Sequence, residues 1–108
     1  MKIGTNLYCS AFISQQKQEK YLKKIRNRKN MRNIHILIYR MNNVNLLELV
    51  STRELYRLDS REDGIYVIGI VQNNEEAYEW IGTLVSNTLL HFNEINKQTL
   101  FRELECDV

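Results

Sequence analysis

The chain has 108 residues, four glycines, no proline and a formal net charge of +2 at pH 7. This length fits one domain, so we expect residues 1–108 to form a single domain in which 1–13 and 93–108 are less ordered. No run of about 18 apolar residues is present, so no membrane span is expected. The chain start is a poor signal peptide, and Cys9 and Cys106 lack zinc or disulfide spacing. These features predict a cytoplasmic protein with free thiols.

The charge is distributed unevenly along the chain. Residues 1–32 contain nine Lys or Arg and one Glu, whereas residues 33–108 contain six Lys or Arg and twelve Asp or Glu. The first part therefore has a formal charge of +8 and the second a formal charge of −6. Such an asymmetry is a hint of an interaction and not of a particular fold.

Two elements are predicted in the amino-terminal part. Residues 2–9, KIGTNLYC, predict a short edge strand. Residues 14–30 predict a helix, because good helix formers dominate them and Ser14 can be the N-cap. The few apolar positions of this helix form a narrow stripe that can pack on a sheet: Tyr21, Leu22 and Ile25.

The middle of the chain predicts a hairpin and a short helix. Residues 34–41, IHILIYRM, form the first strand of the hairpin, and residues 42–45 are rich in Asn and form its turn. Residues 46–50 return as the partner strand. Ser51 and Glu54 match the S-x-x-E capping box, so a short helix begins at this serine.

A buried strand that leads into a long helix dominates the rest of the chain. Residues 65–71, IYVIGIV, lack polar alternation, which indicates a central strand covered on both faces. Gly69 predicts a bulge or a close backbone approach, either to a ligand or to a helix that crosses the strand. Asn73 as the N-cap and Glu76 at the return position of a capping box begin the helix.

This long helix has the i, i+3, i+4 spacing of one apolar stripe, which we expect to be buried. Its members are Ala77, Trp80, Ile81, Leu84, Val85, Thr88, Leu89 and Phe92. We expect Trp80 to be largely buried against residues 65–71. Tyr78 and Leu90 lie off the stripe and are candidates for an exposed contact. Residues 93–108 predict one more short helix.

The order of elements is (β)αββαβα, which predicts the α+β class. We expect a small, mainly antiparallel sheet of three or four strands with two or three helices on one face. If the first strand forms, the first six elements match the split βαβ arrangement that is called ferredoxin-like.

The segments LYCS, IHILIYRM, NLLELV and IYVIGIVQNNEEAYEWIG, together with the basic helix, resemble a family of short bacterial proteins that have no assigned function. Members have a V-x-G-I-A strand followed by an EAxEL helix. The matching positions here are residues 67–71, VIGIV, and 76–80, EAYEW, with Trp80 in place of the usual Leu. The resemblance covers most of the chain. It implies a small soluble protein and carries no functional residues across.

The strongest chemical feature is the segment 17–32, which contains eight Lys or Arg and one acidic residue, Glu19. A row of cations on a helix can follow the evenly spaced phosphates of a nucleic acid. The candidate partner- or nucleic-acid-binding residues are Lys17, Lys20, Lys23, Lys24, Arg26, Arg28, Lys29 and Arg32. Four of them are expected to line one side of the helix: Lys17, Lys20, Lys24 and Arg28.

Several interpretations of this segment stay open. It is a solvated face, a surface that docks on this protein's own acidic surface or on a second copy, or a nucleic-acid-binding surface to which Tyr21 adds a stacking contact. A fourth interpretation is contact with an anionic membrane surface, for which the apolar stripe is too thin to be a good interfacial helix.

No other constellation predicts chemistry. His35 and His91 have no neighbours at metal-ligand spacing, and the carboxylates of residues 59–64 are more typical of a solvated turn than of an acid and base pair. We therefore expect a non-enzymatic interaction or regulatory protein without a cofactor, acting on a protein partner or as a homo-oligomer. The alternative is a nucleic-acid-binding accessory protein.

Overall fold

The computed structural model describes residues 1–9 and 13–106, and within these ranges the chain forms four strands and four helices. The strands are β1 (Lys2–Cys9), β2 (His35–Arg40), β3 (Glu48–Val50) and β4 (Ile65–Val71). The helices are α1 (Gln15–Arg26), α2 (Thr52–Asp59), α3 (Asn74–Phe92) and α4 (Lys97–Cys106). The α+β class is thereby confirmed.

Three helices begin at the caps that the sequence predicts. In each, a side-chain oxygen accepts a hydrogen bond from the backbone amide three residues on, at 3.3 Å for Ser14, 3.1 Å for Ser51 and 2.9 Å for Asn73. Asn73 also donates to the Glu76 carboxylate at 2.9 Å. The three bonds from backbone amides satisfy donors that a helix start leaves without an intrahelical partner.

The four strands form one sheet in the order β1-β4-β2-β3. β2 runs antiparallel to both β3 and β4, whereas β1 runs parallel to β4. The mainly antiparallel sheet is thus confirmed. The ferredoxin-like order is not confirmed, because β1 lies at the edge of the sheet and its neighbour β4 runs in the same direction.

The central strand β4 has a bulge beside its glycine. Leu37 of β2 pairs with Gly69, and the next residue, Ile38, pairs with Val67, so β4 contains one extra residue between these pairs. A Cβ atom on Gly69 would lie 3.1 Å from Leu37 Cδ1 and 3.4 Å from the carbonyl oxygen of Tyr8. The predicted close approach therefore comes from the two neighbouring strands and not from a helix that crosses β4.

Helices cover both faces of the sheet. On one face α1 and α2 contribute Ile25 and Leu55, which are fully buried beside Ile36. On the other face α3 and α4 pack on the alternate side chains of β2 and β4, with Ala77 buried beside Leu37. The expectation of helices on one face is therefore incomplete. β2 and β4 are apolar on both faces, and such a sheet needs two covering layers.

Trp80 is only partly buried, which corrects the prediction for this residue. The fully buried positions of α3 are Ala77 and Thr88, each with 0% exposure. Trp80 lies on the flank of this stripe and packs at the margin of the core between the sheet and α3. Its position joins α3 to the edge strand β1, as its ring contact with Tyr8 shows.

The two segments that were predicted to be less ordered, 1–13 and 93–108, contain β1 and α4. Residues 10–12 and 107–108 of these segments lie outside the described ranges. Leu100 of α4 is fully buried, so this helix contributes to the core.

Candidate functional site

One side of α1 presents the basic segment to solvent. Ile25 is fully buried, and Tyr21 and Leu22 pack beside it in the core between α1 and the sheet. Because an α-helix turns once in about 3.6 residues, Lys20 and Lys23 lie on the side of α1 opposite Ile25. The narrow apolar stripe of the sequence therefore directs the charges outward. It also removes Tyr21 from the exposed side, so this ring does not offer the predicted stacking contact.

The helix ends at Arg26, earlier than the predicted range 14–30, and this moves Arg28 out of the row of cations. Arg28 has a φ of 55°, and its Nη2 donates to Asp59 Oδ2 at 2.5 Å. Its Nη1 donates to the carbonyl oxygen of Tyr56 at 3.3 Å. The expectation that Arg28 lines one side of the helix is therefore wrong. This side chain fastens the segment after α1 to α2.

The other seven predicted cations have no salt-bridge partner among the described residues. Lys24 is partly buried and the remaining six are exposed. The seven are Lys17, Lys20, Lys23, Lys24, Arg26, Lys29 and Arg32. Their charge is therefore left to solvent, counterions or a partner.

α2 and the turn that follows it widen this surface with two arginines that the sequence did not assign to it. Arg53 and Arg61 are exposed and lie in the helical layer that α2 shares with α1. Residues 15–32 and 52–61 together contain eleven Lys or Arg and three Asp or Glu, a formal charge of +8. We call the surface of the seven cations and these two arginines the basic face.

The opposite helical layer is acidic. Residues 73–106, which include α3 and α4, contain two Lys or Arg and six Asp or Glu, a formal charge of −4. The sheet separates the two layers by two packing distances of about 10 Å each, which exceeds the Debye length of about 8 Å at physiological salt. The basic face therefore does not dock on the acidic layer of the same molecule.

Two of the three carboxylates of residues 59–64, Asp59 and Glu62, are held in ion pairs. Asp59 binds Arg28, and Glu62 accepts hydrogen bonds from Arg40 Nε at 2.5 Å and Nη2 at 3.0 Å. Arg40 Nη1 also donates to Glu48 at 2.9 Å. The hydrogen bond from Arg40 lowers the pKa of Glu62. These ionised carboxylates fix β2, β3 and the turn to each other, which is a structural role.

A cleft of about 300 Å³ lies between β1, α3 and α4. Glu103 lines it and is 5% exposed, and its Oε2 lies 2.7 Å from Nδ1 of His91. The contact joins α4 to the end of α3. Across the described ranges, no group of three His, Cys, Asp or Glu side chains is arranged to hold a metal ion.

The thiol of Cys9 is a weak nucleophile in this environment. Burial raises its pKa to about 11, and the thiolate is the reactive form. The side chain of Cys106 is outside the part of the chain that the structure describes. Cys9 is therefore a packing residue of β1 at neutral pH.

Comparison with protein-family models, curated proteins and solved structures found no match to this chain. The resemblance to the family of short bacterial proteins therefore stays a prediction. In residues 1–9 and 13–106, no helix combines the length and the apolar character that crossing a membrane requires.

Proposed function

We propose that this protein is a non-enzymatic interaction protein whose basic face binds an acidic surface of a protein partner. The observation that supports the proposal is the set of seven exposed or partly exposed cations of residues 17–32 that have no salt-bridge partner among the described residues. Complementary charge patches steer association and disfavour wrong partners. The acidic layer on the far side of the sheet makes a second copy one such partner.

Nucleic acid is the second candidate, and Arg53 and Arg61 favour it. Arg53 and Arg61 extend the basic face beyond a single helix, which suits a surface that follows a phosphate backbone. Against it, Tyr21 packs against the core, so this ring is not presented for stacking with single-stranded bases. Duplex is therefore the form of nucleic acid to test.

The experiment compares two double variants that each remove two positive charges. Lys20→Gln with Lys23→Gln changes the basic face, and glutamine preserves helix propensity. Lys2→Gln with Arg102→Gln changes exposed cations outside it. Binding of a labelled polyglutamate peptide and of a random 20-base-pair DNA duplex is measured by fluorescence anisotropy across a salt series.

We expect polyglutamate binding that weakens with salt, is lost in the basic-face variant and is kept in the control variant. Duplex binding should be negligible at about 0.15 M salt. Submicromolar duplex binding under that condition, lost only in the basic-face variant, would favour nucleic acid instead. Its log–log salt slope should then be about −0.9 per phosphate contact. Equal effects of the two variants would contradict both candidates.

A further inference from the structure

The outward side of α3 exposes three large apolar side chains. Tyr78 is 63% exposed, Leu89 45% and Leu90 78%. The sequence prediction that Tyr78 and Leu90 are exposed is thereby confirmed, whereas the assignment of Leu89 to the buried stripe is wrong. Residues 80–92 contain no Lys, Arg, Asp or Glu. Depletion of charge together with exposed aromatic and aliphatic side chains is the composition of an interface core.

This outward side is distinct from the side of α3 that packs on the sheet. Ala77, Leu84 and Thr88 are buried on the inner side, at 0%, 7% and 0% exposure. Gly82 and Ser86, which are four residues apart, both lie on the exposed side. A Cβ atom on Gly82 would meet nothing within 4 Å, so the backbone is open to a close neighbour at this point.

We propose that the outward side of α3 packs antiparallel against the same surface of a second copy around a two-fold axis. An axis near the middle of α3 (Asn74–Phe92) places Tyr78 opposite Leu89 of the second copy. The same register brings Gly82 and Ser86 to the crossing point, where small side chains allow the helices to approach. In a two-fold interface each contact occurs twice, so one exposed pair supplies two apolar contacts.

The charges at the two ends of α3 fit this arrangement. The first turn contains the exposed Glu75, and Glu79 follows one turn later. The last turn contains His91, and Arg102 of α4 places its guanidinium 4.9 Å from the centre of the Phe92 ring. An antiparallel pair brings Glu75 and Glu79 of each copy toward Arg102 of the other and opposes the two helix dipoles.

The proposed contact involves one helix of each copy, about 28 Å long, and no other element. We therefore expect a dimer that dissociates on dilution. The basic face takes no part in this contact, since it lies on the other side of the sheet.

The test is sedimentation velocity over a concentration series, with two variants that each replace an exposed apolar residue by aspartate. Tyr78→Asp changes the proposed interface, and an acidic residue is compatible with this early part of the helix. Val44→Asp is the control, because Val44 is 93% exposed outside any helix or strand. Circular dichroism melting checks that both variants are folded.

We expect the dimer dissociation constant to rise at least tenfold in Tyr78→Asp and to be unchanged in Val44→Asp. A wild-type protein that is monomeric at about 0.1 mM would overturn the proposal, and so would a dimer that Tyr78→Asp leaves intact. A dimer that the Lys20→Gln, Lys23→Gln variant breaks and Tyr78→Asp does not would place self-association on the basic face. That outcome supports the proposed function and contradicts the α3 interface.

Cross-linking tests the geometry. Ser86→Cys in a Cys9→Ser, Cys106→Ser background should give a covalent dimer with a short bismaleimide, because Ser86 lies near the proposed axis. Gln98→Cys, at an exposed position on α4, should not. Equal cross-linking at both positions would indicate random collision and contradict the proposed interface.

Discussion

The ring of Tyr8 stacks on the ring of Trp80, with centroids 5.1 Å apart and planes inclined by 21°. Tyr8 belongs to the edge strand β1 and Trp80 to α3, so the contact joins the first and seventh elements of the chain. β1 has a single neighbour in the sheet. β1 is therefore bound to the rest of the protein both by its backbone hydrogen bonds to β4 and by this ring contact with α3.

A double-mutant cycle should detect this attachment. Tyr8→Leu and Trp80→Leu should show a coupling free energy of about 0.5–1.5 kcal/mol, the range for an aromatic pair beyond its buried area. Urea unfolding of the wild type, both single variants and the double variant gives the value. The control cycle pairs Trp80→Leu with Tyr21→Leu, which lies on the other face of the sheet. That cycle should be additive within about 0.5 kcal/mol. Equal coupling in both cycles would exclude a specific role for the stack.

Two glycines should respond oppositely to the same substitution. Gly69→Ala places a Cβ atom 3.1 Å from Leu37 Cδ1, so we expect a loss of about 1–3 kcal/mol from overpacking. Gly82→Ala adds a methyl group in open space on a helix and should stabilise the monomer by up to about 1 kcal/mol. Thermal or urea unfolding compares the two under conditions where the protein is monomeric. A stable Gly69→Ala protein would mean that β1 and β2 are not held at this distance.

The start of α2 provides a third prediction. Ser51→Ala removes the oxygen that accepts from the Glu54 amide at 3.1 Å, and should cost about 0.5–2 kcal/mol. Ser51→Asp keeps an acceptor at the positive end of the helix and should retain most of the stability. The measurement is again the free energy of unfolding in urea. If Ser51→Ala and Ser51→Asp have the same free energy of unfolding, the side-chain cap at residue 51 does not contribute to stability.

The fourth prediction concerns the alkylation of Cys9 in a Cys106→Ser background. Because burial raises the pKa of Cys9 to about 11, its reaction with iodoacetamide at pH 8 should be much slower than that of a small free thiol. The rate should continue to rise with pH up to about that value for as long as the protein stays folded. The raised pKa also means that folding favours the neutral thiol. Its contribution to stability is present below the unfolded pKa and is lost as pH rises toward 11. Rapid alkylation at pH 8 of the folded protein would contradict the burial of this side chain.

Local signals were sufficient to predict the element starts. The caps at Ser51 and Asn73 and the range 65–71 of the central strand follow from neighbours within four residues, and the structure has all three. The end of α1 is different, because Arg28 leaves the helical conformation where it binds Asp59, 31 residues away. A sequence pattern over a few neighbouring residues cannot predict a contact at that separation.

The sequence predicts the arrangement of the helices and the sheet only in part. The lack of polar alternation in β4 does indicate two covered faces, and the same signal is present in β2, where Leu37 and Ile38 are both fully buried. The sequence does not say which helix covers which face. For this reason Arg53 on α2 and Arg61 just after it could not be assigned to the basic face.

The two edges of the sheet also determine how this protein behaves when concentrated. A long, regular edge strand can recruit a strand from another chain and begin aggregation. β3 has only three residues, and the ladder of β1 loses its register between Ile3 and Tyr8. Neither edge therefore presents a long regular row of backbone amides and carbonyls to a strand of another chain. We expect concentrated solutions to resist growth of intermolecular sheets, so that heating should give amorphous precipitate before it gives fibrils that bind thioflavin T.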